Sequence, residues 1–483
     1  MLQVTEKEIK ARLSLENPWW GAERSVDSRF EEMPRRDYFP SFHELLVEEG
    51  ANRAIVLMGP RRVGKTVMIH HAISALLASG VPGNEILYVS IEAPVYTGLS
   101  LEKLLTFFTK EFNHGRKRRL FVFFDEIQYL KDWEVHLKDL VDTYSYCRFV
   151  ASGSAAAALR LKSQESGAGR FTDFMLPPLT FAEYLRFVGQ ESRLIERLGD
   201  PNDGAYRCTD VERLNDEFAN YLNYGGYPEA VFSEAVRSNT ARFIRSDIID
   251  KVLLRDLPSL YGIHDIQELN GLFTSVAYNT AQEVNLEQLS QSAGIAKPTI
   301  RRYLEYLEAA FLIKRISRVD HTCRRFKRER FFKLYLTNPS MRAALFGNVD
   351  TTSDAFGPLA ETAIYSQWLH SPGIRNICYA QWKKGEIDIV YLDSQSQKPD
   401  WIVEVKWSDR AATRPSELDH ITDFMRRNSL QVATVTSKTI SKSVAQSELT
   451  LRFVPTSLYA YMVGKNLTEW VTGERATQLS LEV

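Results

Sequence analysis

Met58-Gly59-Pro60-Arg61-Arg62-Val63-Gly64-Lys65-Thr66 fits G-x-x-x-x-G-K-[ST], with an apolar run at 54–58 before it and a helical pattern after it. A phosphate-binding loop needs this strand-loop-helix context, because backbone N–H groups and the first helical turn must converge on the phosphates of a nucleotide. Gly59 and Gly64 let the backbone bend around the β-phosphate. Lys65 reaches the β- and γ-phosphates, the Thr66 hydroxyl ligates Mg²⁺, and Arg62 sits inside the loop as a further nucleotide-binding candidate. The helix runs on through Met68, Ile69, Ala72, Ile73, Leu76 and Leu77 and stops at Gly80, where a left-handed cap is expected. The implied cofactors are ATP and Mg²⁺.

The partner motif lies downstream. Leu120-Phe121-Val122-Phe123-Phe124-Asp125-Glu126 is a buried-strand run that ends in two carboxylates. Asp125 is expected to hold Mg²⁺ and Glu126 to polarise the attacking water. The apolar run Ile86 to Ile91 inserts a strand between these two, an order that points to the ATPase branch of the P-loop fold. Arg148 to Ser152 reads as the next strand, and Ser152 is a sensor candidate, although the Ser-Gly-Ser that follows is also an ordinary turn. Arg170, shortly before the strand-like Phe174 to Leu179 with its proline stop, reads either as an arginine finger or as a solvated arginine or local salt bridge.

These segments, with Asn17-Pro18-Trp19-Trp20, Arg35-Arg36-Asp37-Tyr38-Phe39, Pro178-Leu179-Thr180-Phe181 and Tyr224-Gly225-Gly226-Tyr227-Pro228, occur in one order along the chain. Together they resemble a large family of bacterial and archaeal AAA-type ATPases with a C-terminal domain of uncharacterised role. The resemblance implies an α/β fold: a P-loop AAA-type ATPase core with a helical lid, a winged helix-turn-helix and a C-terminal α/β restriction-endonuclease-like domain. The expected division is an N-terminal segment at 1–50, the ATPase core at 51–182, the lid at 183–280, the winged helix at 281–347, a linker at 348–357, the nuclease-like domain at 358–465 and a tail at 466–483. The lid should pack on the ATPase core, with Gly225-Gly226 supplying the positive φ of a turn between its helices.

Composition bounds the function. A chain of 483 residues exceeds one hydrophobic core, so about three domains are expected. Its formal net charge of −1 gives no global attraction to nucleic acid, so such binding must come from local patches. Four dispersed cysteines have no metal-ligand spacing and read as cytosolic thiols, and no apolar run approaches a membrane span. The expected location is the cytoplasm.

Two further regions carry chemistry. From Asn285 to Leu312 the pattern is a helix-turn-helix, with Lys297, Thr299, Arg301 and Arg302 on or near the exposed start of a recognition helix. The strand-like 312–316 and 331–336 make a wing, whose tip offers Arg324, Arg325, Lys327 and Arg328 to phosphates. Such modules also serve protein contacts, and basic tips are often only solvated. Further on, Glu361 lies in a helical stretch, Asp388 on a strand, and Glu404 and Lys406 on one face of the next strand. This D…E-x-K order resembles the restriction-endonuclease-like fold. Asp388 and Glu404, with Glu361, would bind Mg²⁺, and Lys406 would orient the attacking water. A half-exposed sheet with alternating charges is the plainer reading. The function expected is an ATP-hydrolysing protein acting on nucleic acid, with DNA as the expected partner, as a homo-oligomer or with a protein partner, in antiviral defence or mobile-element biology. The alternative is an ATPase switch whose C-terminal domain is a catalytically silent DNA- or protein-binding module.

Overall fold

The computed structural model describes the chain except residues 1–3, 22–24, 49, 51, 116, 154–168, 200–204, 326–329, 370 and 472–483. It divides into two compact units, Met1–Leu176 and Pro177–Val483.

The first unit is built on five parallel strands, β1 (Ala54–Met58), β2 (Ile86–Ser90), β3 (Leu120–Asp125), β4 (Cys147–Gly153) and β5 (Phe171–Met175), in the order β2-β3-β4-β1-β5. β1 and β3 are buried along their whole length, which their continuous apolar runs require of strands covered on both faces. The strand that separates β1 from β3 in space is β4. β2, which lies between them in sequence, is the sheet's edge. The expected insertion between the two motif strands is thus corrected: chain order and sheet order differ, and the position between the motifs belongs to the strand carrying Ser152.

Residues before 50 belong to this unit rather than to a separate segment. Ile9 and Leu13 enter its core. Asn17 exchanges hydrogen bonds with the Tyr88 backbone, accepting from N–H at 2.7 Å and donating to the carbonyl at 2.8 Å, so an amide side chain covers the open edge of β2. Trp20 adds a bond to the Ile86 carbonyl at 2.8 Å.

The second unit holds a short hairpin, β6 (Ile195–Leu198) with β7 (Ala205–Cys208), and one nine-stranded sheet. The sheet comprises β8 (Glu283–Asn285), β9 (Ile313–Val319), β10 (Phe331–Leu336), β11 (Ile377–Trp382), β12 (Gly385–Leu392), β13 (Pro399–Glu404), β14 (Val432–Ser437), β15 (Lys442–Gln446) and β16 (Leu449–Pro455). Its order is β15-β16-β14-β13-β12-β11-β9-β10-β8.

Two helices, Leu286–Ala293 and Lys297–Ala309, follow β8. Gly294 between them has φ 69°, and Ile300, Tyr303, Leu304 and Leu307 are buried. The hairpin after them does not project as a wing. β9 pairs in parallel with β11, Tyr379 facing Arg318 and Ala380 facing Val319, which makes the expected winged-helix and nuclease-like segments one sheet. Cys323, near the hairpin tip, is buried in the core beneath β11 to β14.

The expected lid is likewise absorbed. Phe181, Tyr184, Leu185, Phe218 and Tyr221 share one core with helices Phe356–Gln367 and Thr456–Val471. Gln367 stitches them together, accepting from the Phe181 N–H at 2.9 Å and donating to the Tyr221 hydroxyl at 3.0 Å. Residues 348–357 are no free linker, since Val349 is buried and its N–H donates to Asn223 at 2.8 Å. Helix Thr456–Val471 runs across the expected boundary at 465.

The two glycines before Tyr227 are also corrected. Gly226 has φ −78°, and neither glycine has positive φ. They are glycines for want of space: a Cβ at 225 would lie 2.6 Å from Tyr221 and 2.8 Å from Tyr184, and one at 226 would lie 1.8 Å from Asn338 Nδ2.

Candidate functional site

The loop after β1 wraps into helix Lys65–Ala78, with Gly64 at φ 95° as its first cap. Gly59 cannot carry a side chain, because a Cβ would stand 2.1 Å from the Leu176 carbonyl oxygen. Arg62 has φ 64° and is exposed on the loop. The Lys65 ammonium is buried and donates to the carbonyls of Gly59 at 3.0 Å and Pro60 at 2.7 Å, so it lies folded along the loop it serves.

Asp125, at the end of β3, is the hub. Its Oδ2 accepts from the Thr66 hydroxyl at 2.7 Å and from the Tyr88 hydroxyl at 2.9 Å, and its Oδ1 accepts from Ser152. A hydroxyl and a carboxylate this close form a donor set for a hard divalent cation. Ser152 is fully buried, and its hydroxyl meets Asp125 because β4 lies next to β3. Tyr88 was invisible in the sequence, where a tyrosine in an apolar run reads as core. Burial and the Asp125 charge push its hydroxyl well above the ordinary phenol range, which keeps it a donor.

Glu126 follows at φ 54°, turned off the strand, and accepts from the Gln128 amide. Burial raises its carboxyl above the usual range, with the Asp125 charge adding to the rise and Lys65 opposing it. Arg36, which the sequence marks only as part of the Arg35-Arg36-Asp37-Tyr38-Phe39 segment and gives no role, is buried and donates to the Val63 carbonyl of the loop at 2.7 Å.

Arg170 lies elsewhere. It precedes Phe171, which pairs with Ala54 at the start of β1, whereas the loop follows Met58 at the other end. Five residues of strand separate the two by about 15 Å. Arg170 contacts Asp142 at the surface, so a finger acting on its own chain's nucleotide is excluded by position.

In the second unit, Asp388 on β12 and Glu404 on β13 are brought together, since Ile389 pairs with Val403. Asp388 Oδ2 accepts from the Val405 N–H at 2.9 Å. Lys406 Nζ is 2.6 Å from Glu404 Oε1 and 3.9 Å from Asp388 Oδ2. Glu404 Oε2 is buried and has no hydrogen-bond partner among the described residues. Burial and the Asp388 charge raise the Glu404 carboxyl. For Asp388 burial acts upward, but Lys333, Lys406 and the Val405 N–H together hold it below the usual range.

Glu361 is directed differently. Its Oε1 takes the Lys333 ammonium at 3.0 Å and the Tyr335 hydroxyl. Lys333 and Glu386, neither singled out by sequence, complete this cluster. Among the described residues no group of three or more His, Cys, Asp or Glu side chains is arranged to hold a metal ion.

Of the basic candidates, Arg301 and Arg302 are exposed on the second helix and carry no ion pair among the described residues. Lys297 is paired with Glu287 at 2.7 Å, and Thr299 is half-buried. Arg324 is exposed, and Arg325 donates to the Arg375 carbonyl at 3.3 Å. Lys327 and Arg328 lie outside the described residues. No helix among the described residues is long and apolar enough to cross a membrane.

Residues 51–185 match the family described as an AAA domain, and residues 215–352 match a family described as a domain of unknown function. The chain thus carries an AAA-type P-loop domain of the kind that binds and hydrolyses ATP. An uncharacterized protein of Haemophilus influenzae is 26% identical over 272 residues, covering 55% of this chain and 62% of that protein. The chain therefore spans less than two thirds of that relative. An uncharacterized protein of Methanocaldococcus jannaschii is 22% identical over 366 residues, covering 73% of this chain and 75% of that one. Solved structures with partial likeness include the replication initiator DnaA bound to AMPPCP and single-stranded DNA (TM-score 0.29, 11% identity, 60% of this chain, 93% of that one). The Saccharomyces cerevisiae Hsp104–ADP complex is another (0.30, 15%, 58% and 38%), as is Caenorhabditis elegans PCH-2 (0.26, 13%, 44% and 60%).

Proposed function

We propose that this protein is an ATP-driven device acting on nucleic acid, in which the ATPase site of the first unit serves a DNA-contacting helix pair and a cation-dependent, nuclease-like site in the second. At the ATPase site Lys65, once released from the loop carbonyls, binds the phosphates, while Thr66 and Asp125 hold Mg²⁺. The ion screens phosphate charge when bound. Ser152 and Tyr88 fix the Asp125 carboxylate, and Glu126 takes the proton of the attacking water. A finger role for Arg170 would have to act on a neighbouring subunit's nucleotide, so a homo-oligomer is part of the reading.

The observation that carries the nucleic-acid reading is the buried Glu404 Oε2 left without a partner beside Asp388 and Lys406. An orphaned carboxylate oxygen is costly unless a cation completes it. Asp388 and Glu404 fit a divalent cation, and Lys406 is placed to orient water or phosphate next to it. Arg301 and Arg302, exposed and without an ion pair among the described residues, supply phosphate contacts.

The alternative of a silent docking module is favoured by one feature, the Lys333 ammonium seated among the neighbouring carboxylates. Purified protein given ATP, Mg²⁺ or Mn²⁺, and plasmid, single-stranded DNA and RNA separates the two. Cleavage by wild type that is lost in Asp388→Ala, Glu404→Ala and Lys406→Ala supports the nuclease-like site. Absence of cleavage together with salt-dependent DNA binding that weakens in the Arg301→Ala/Arg302→Ala variant supports docking.

A further inference from the structure

Lys333 reaches the acidic site from β10, 55 residues before Asp388 in the chain. Its Nζ lies 3.0 Å from Glu361 Oε1, 2.5 Å from Glu386 Oε1 and 3.3 Å from Asp388 Oδ1, and its side chain is only 5% exposed. The ring of Tyr379 lies 5.4 Å from the ammonium. An ammonium buried this deeply costs several kcal/mol unless its charge is met, and three carboxylates drawn together without it would repel one another. The two requirements are satisfied by the same contacts.

A divalent cation binds carboxylate oxygens directly, Mg²⁺ at about 2.1 Å. It therefore competes with Lys333 for Glu361 Oε1 and Asp388 Oδ1. The far side of the site differs: Glu404 Oε2 is buried and unpartnered, and Asp388 Oδ2 faces that side, with the Val405 N–H and Lys406 near it.

We propose that Lys333 is the site's built-in cation, a positioning residue that fills the place among Glu361, Glu386 and Asp388 and confines any divalent metal to a single ion between Asp388 and Glu404. This rests on the reading of Asp388 and Glu404 as a cation site. It assigns Glu361 to Lys333 and removes it from the metal ligands. It also makes a strand beside the helix-turn-helix part of the acidic site, since β8 and β9 each pair with β10.

The test is Mn²⁺ binding to the full chain without nucleotide, in an Asp125→Ala background that removes the carboxylate of the ATPase site, followed by calorimetry and by the Mn²⁺ electron paramagnetic resonance signal. The background protein is expected to bind one Mn²⁺. Glu404→Gln should weaken it roughly tenfold or more, while Glu361→Gln should leave affinity within about threefold. Lys333→Met should either admit a second Mn²⁺ or tighten binding about tenfold. The proposal is overturned if Glu361→Gln weakens Mn²⁺ as much as Glu404→Gln does, or if folded Lys333→Met keeps the stoichiometry and affinity of the background. Should Lys333→Met fail to fold, the Glu361→Gln comparison decides alone. No Mn²⁺ on the background protein at millimolar metal sinks the cation reading of Asp388 and Glu404 itself, a failure distinct from the other two, and the confinement falls with it.

Discussion

Replacing Tyr88 by phenylalanine removes one oxygen and tests whether Asp125 is held by a hub or by its sequence neighbours. The Tyr88 hydroxyl donates to Asp125 Oδ2 at 2.9 Å, and Thr66 donates to the same oxygen at 2.7 Å. A hydrogen bond to a charged group contributes about 1.5–3 kcal/mol. Because Thr66 remains on Oδ2, no orphaned oxygen results, and the loss belongs at the lower end, about 1.5 kcal/mol or tenfold in rate. Folding should lose no more than about the same 1.5 kcal/mol, since the phenylalanine ring keeps its place against His70, whose centroid is 4.8 Å away. The assay is phosphate release with Mg²⁺ titrated at saturating ATP, alongside a thermal melt. Tyr88→Phe should need more Mg²⁺ for half-maximal rate and lose about tenfold in kcat/KM. Wild-type Mg²⁺ dependence in Tyr88→Phe, with a clear loss in Ser152→Ala, would mean that Asp125 is oriented from β4 alone. Wild-type behaviour in both variants would refute the hub.

Lys65→Ala should abolish nucleotide binding, whereas Glu126→Gln should keep it and lose turnover about 100-fold or more, measured by nucleotide retention and phosphate release. Because burial raises the Glu126 carboxyl, the acid limb of the ATPase pH profile should lie above the ordinary carboxylate range and fall as pH drops. An acid limb that persists unchanged in the residual rate of Glu126→Gln would assign it to another group. His70 is lowered to about 4 from 6.5 chiefly by burial, with its Nδ1 unpartnered. Above pH 6.5 it is neutral in both states, and below that only the unfolded chain takes up the proton. Stability should therefore fall as pH drops from 6.5 toward 4, by roughly 3 kcal/mol, and His70→Phe should flatten that slope in thermal melts. Gly226→Ala should destabilise the second unit by about 1–3 kcal/mol through overpacking against Asn338. An unchanged melting temperature would show that Asn338 gives way freely.

The ATPase site was legible because its chemistry is local. The phosphate loop and the Asp125-Glu126 pair are contiguous runs, each announced by the strand that carries it, and Ser152 was reachable as the end of a third apolar run. What escaped is what the sheet brings together from a distance. Tyr88 meets Asp125 only because β2 lies beside β3, and Lys333 meets Glu361, Glu386 and Asp388 only because β10 enters the same sheet. Gly225 and Gly226 were misread for a related reason. A glycine reports either a backbone angle or a lack of room, and the second depends on Tyr184 and Asn338, which no local pattern supplies.

The same non-local pairing bears on how the second unit works. A helix-turn-helix on a free wing moves at little cost, since only a hairpin must follow it. Here β9 is bonded to β10 on one side and to β11 on the other, so the helices rest on a sheet that continues to the strands of Asp388 and Glu404. Shifting them relative to the acidic site requires breaking the β9–β11 pairing or drawing Lys333 from three carboxylates, and the latter leaves buried charge without compensation. On the proposed reading, contact at Arg301 and Arg302 and the charge state of the acidic site would be mechanically linked within this unit. The variant that separates them is Lys333→Met: if DNA binding through Arg301 and Arg302 is unchanged while Mn²⁺ binding alters, the sheet is a rigid platform and no signal passes along it. If DNA affinity shifts as well, the acidic cluster and the helix pair share one equilibrium, and the strand carrying Lys333 is the element that joins them.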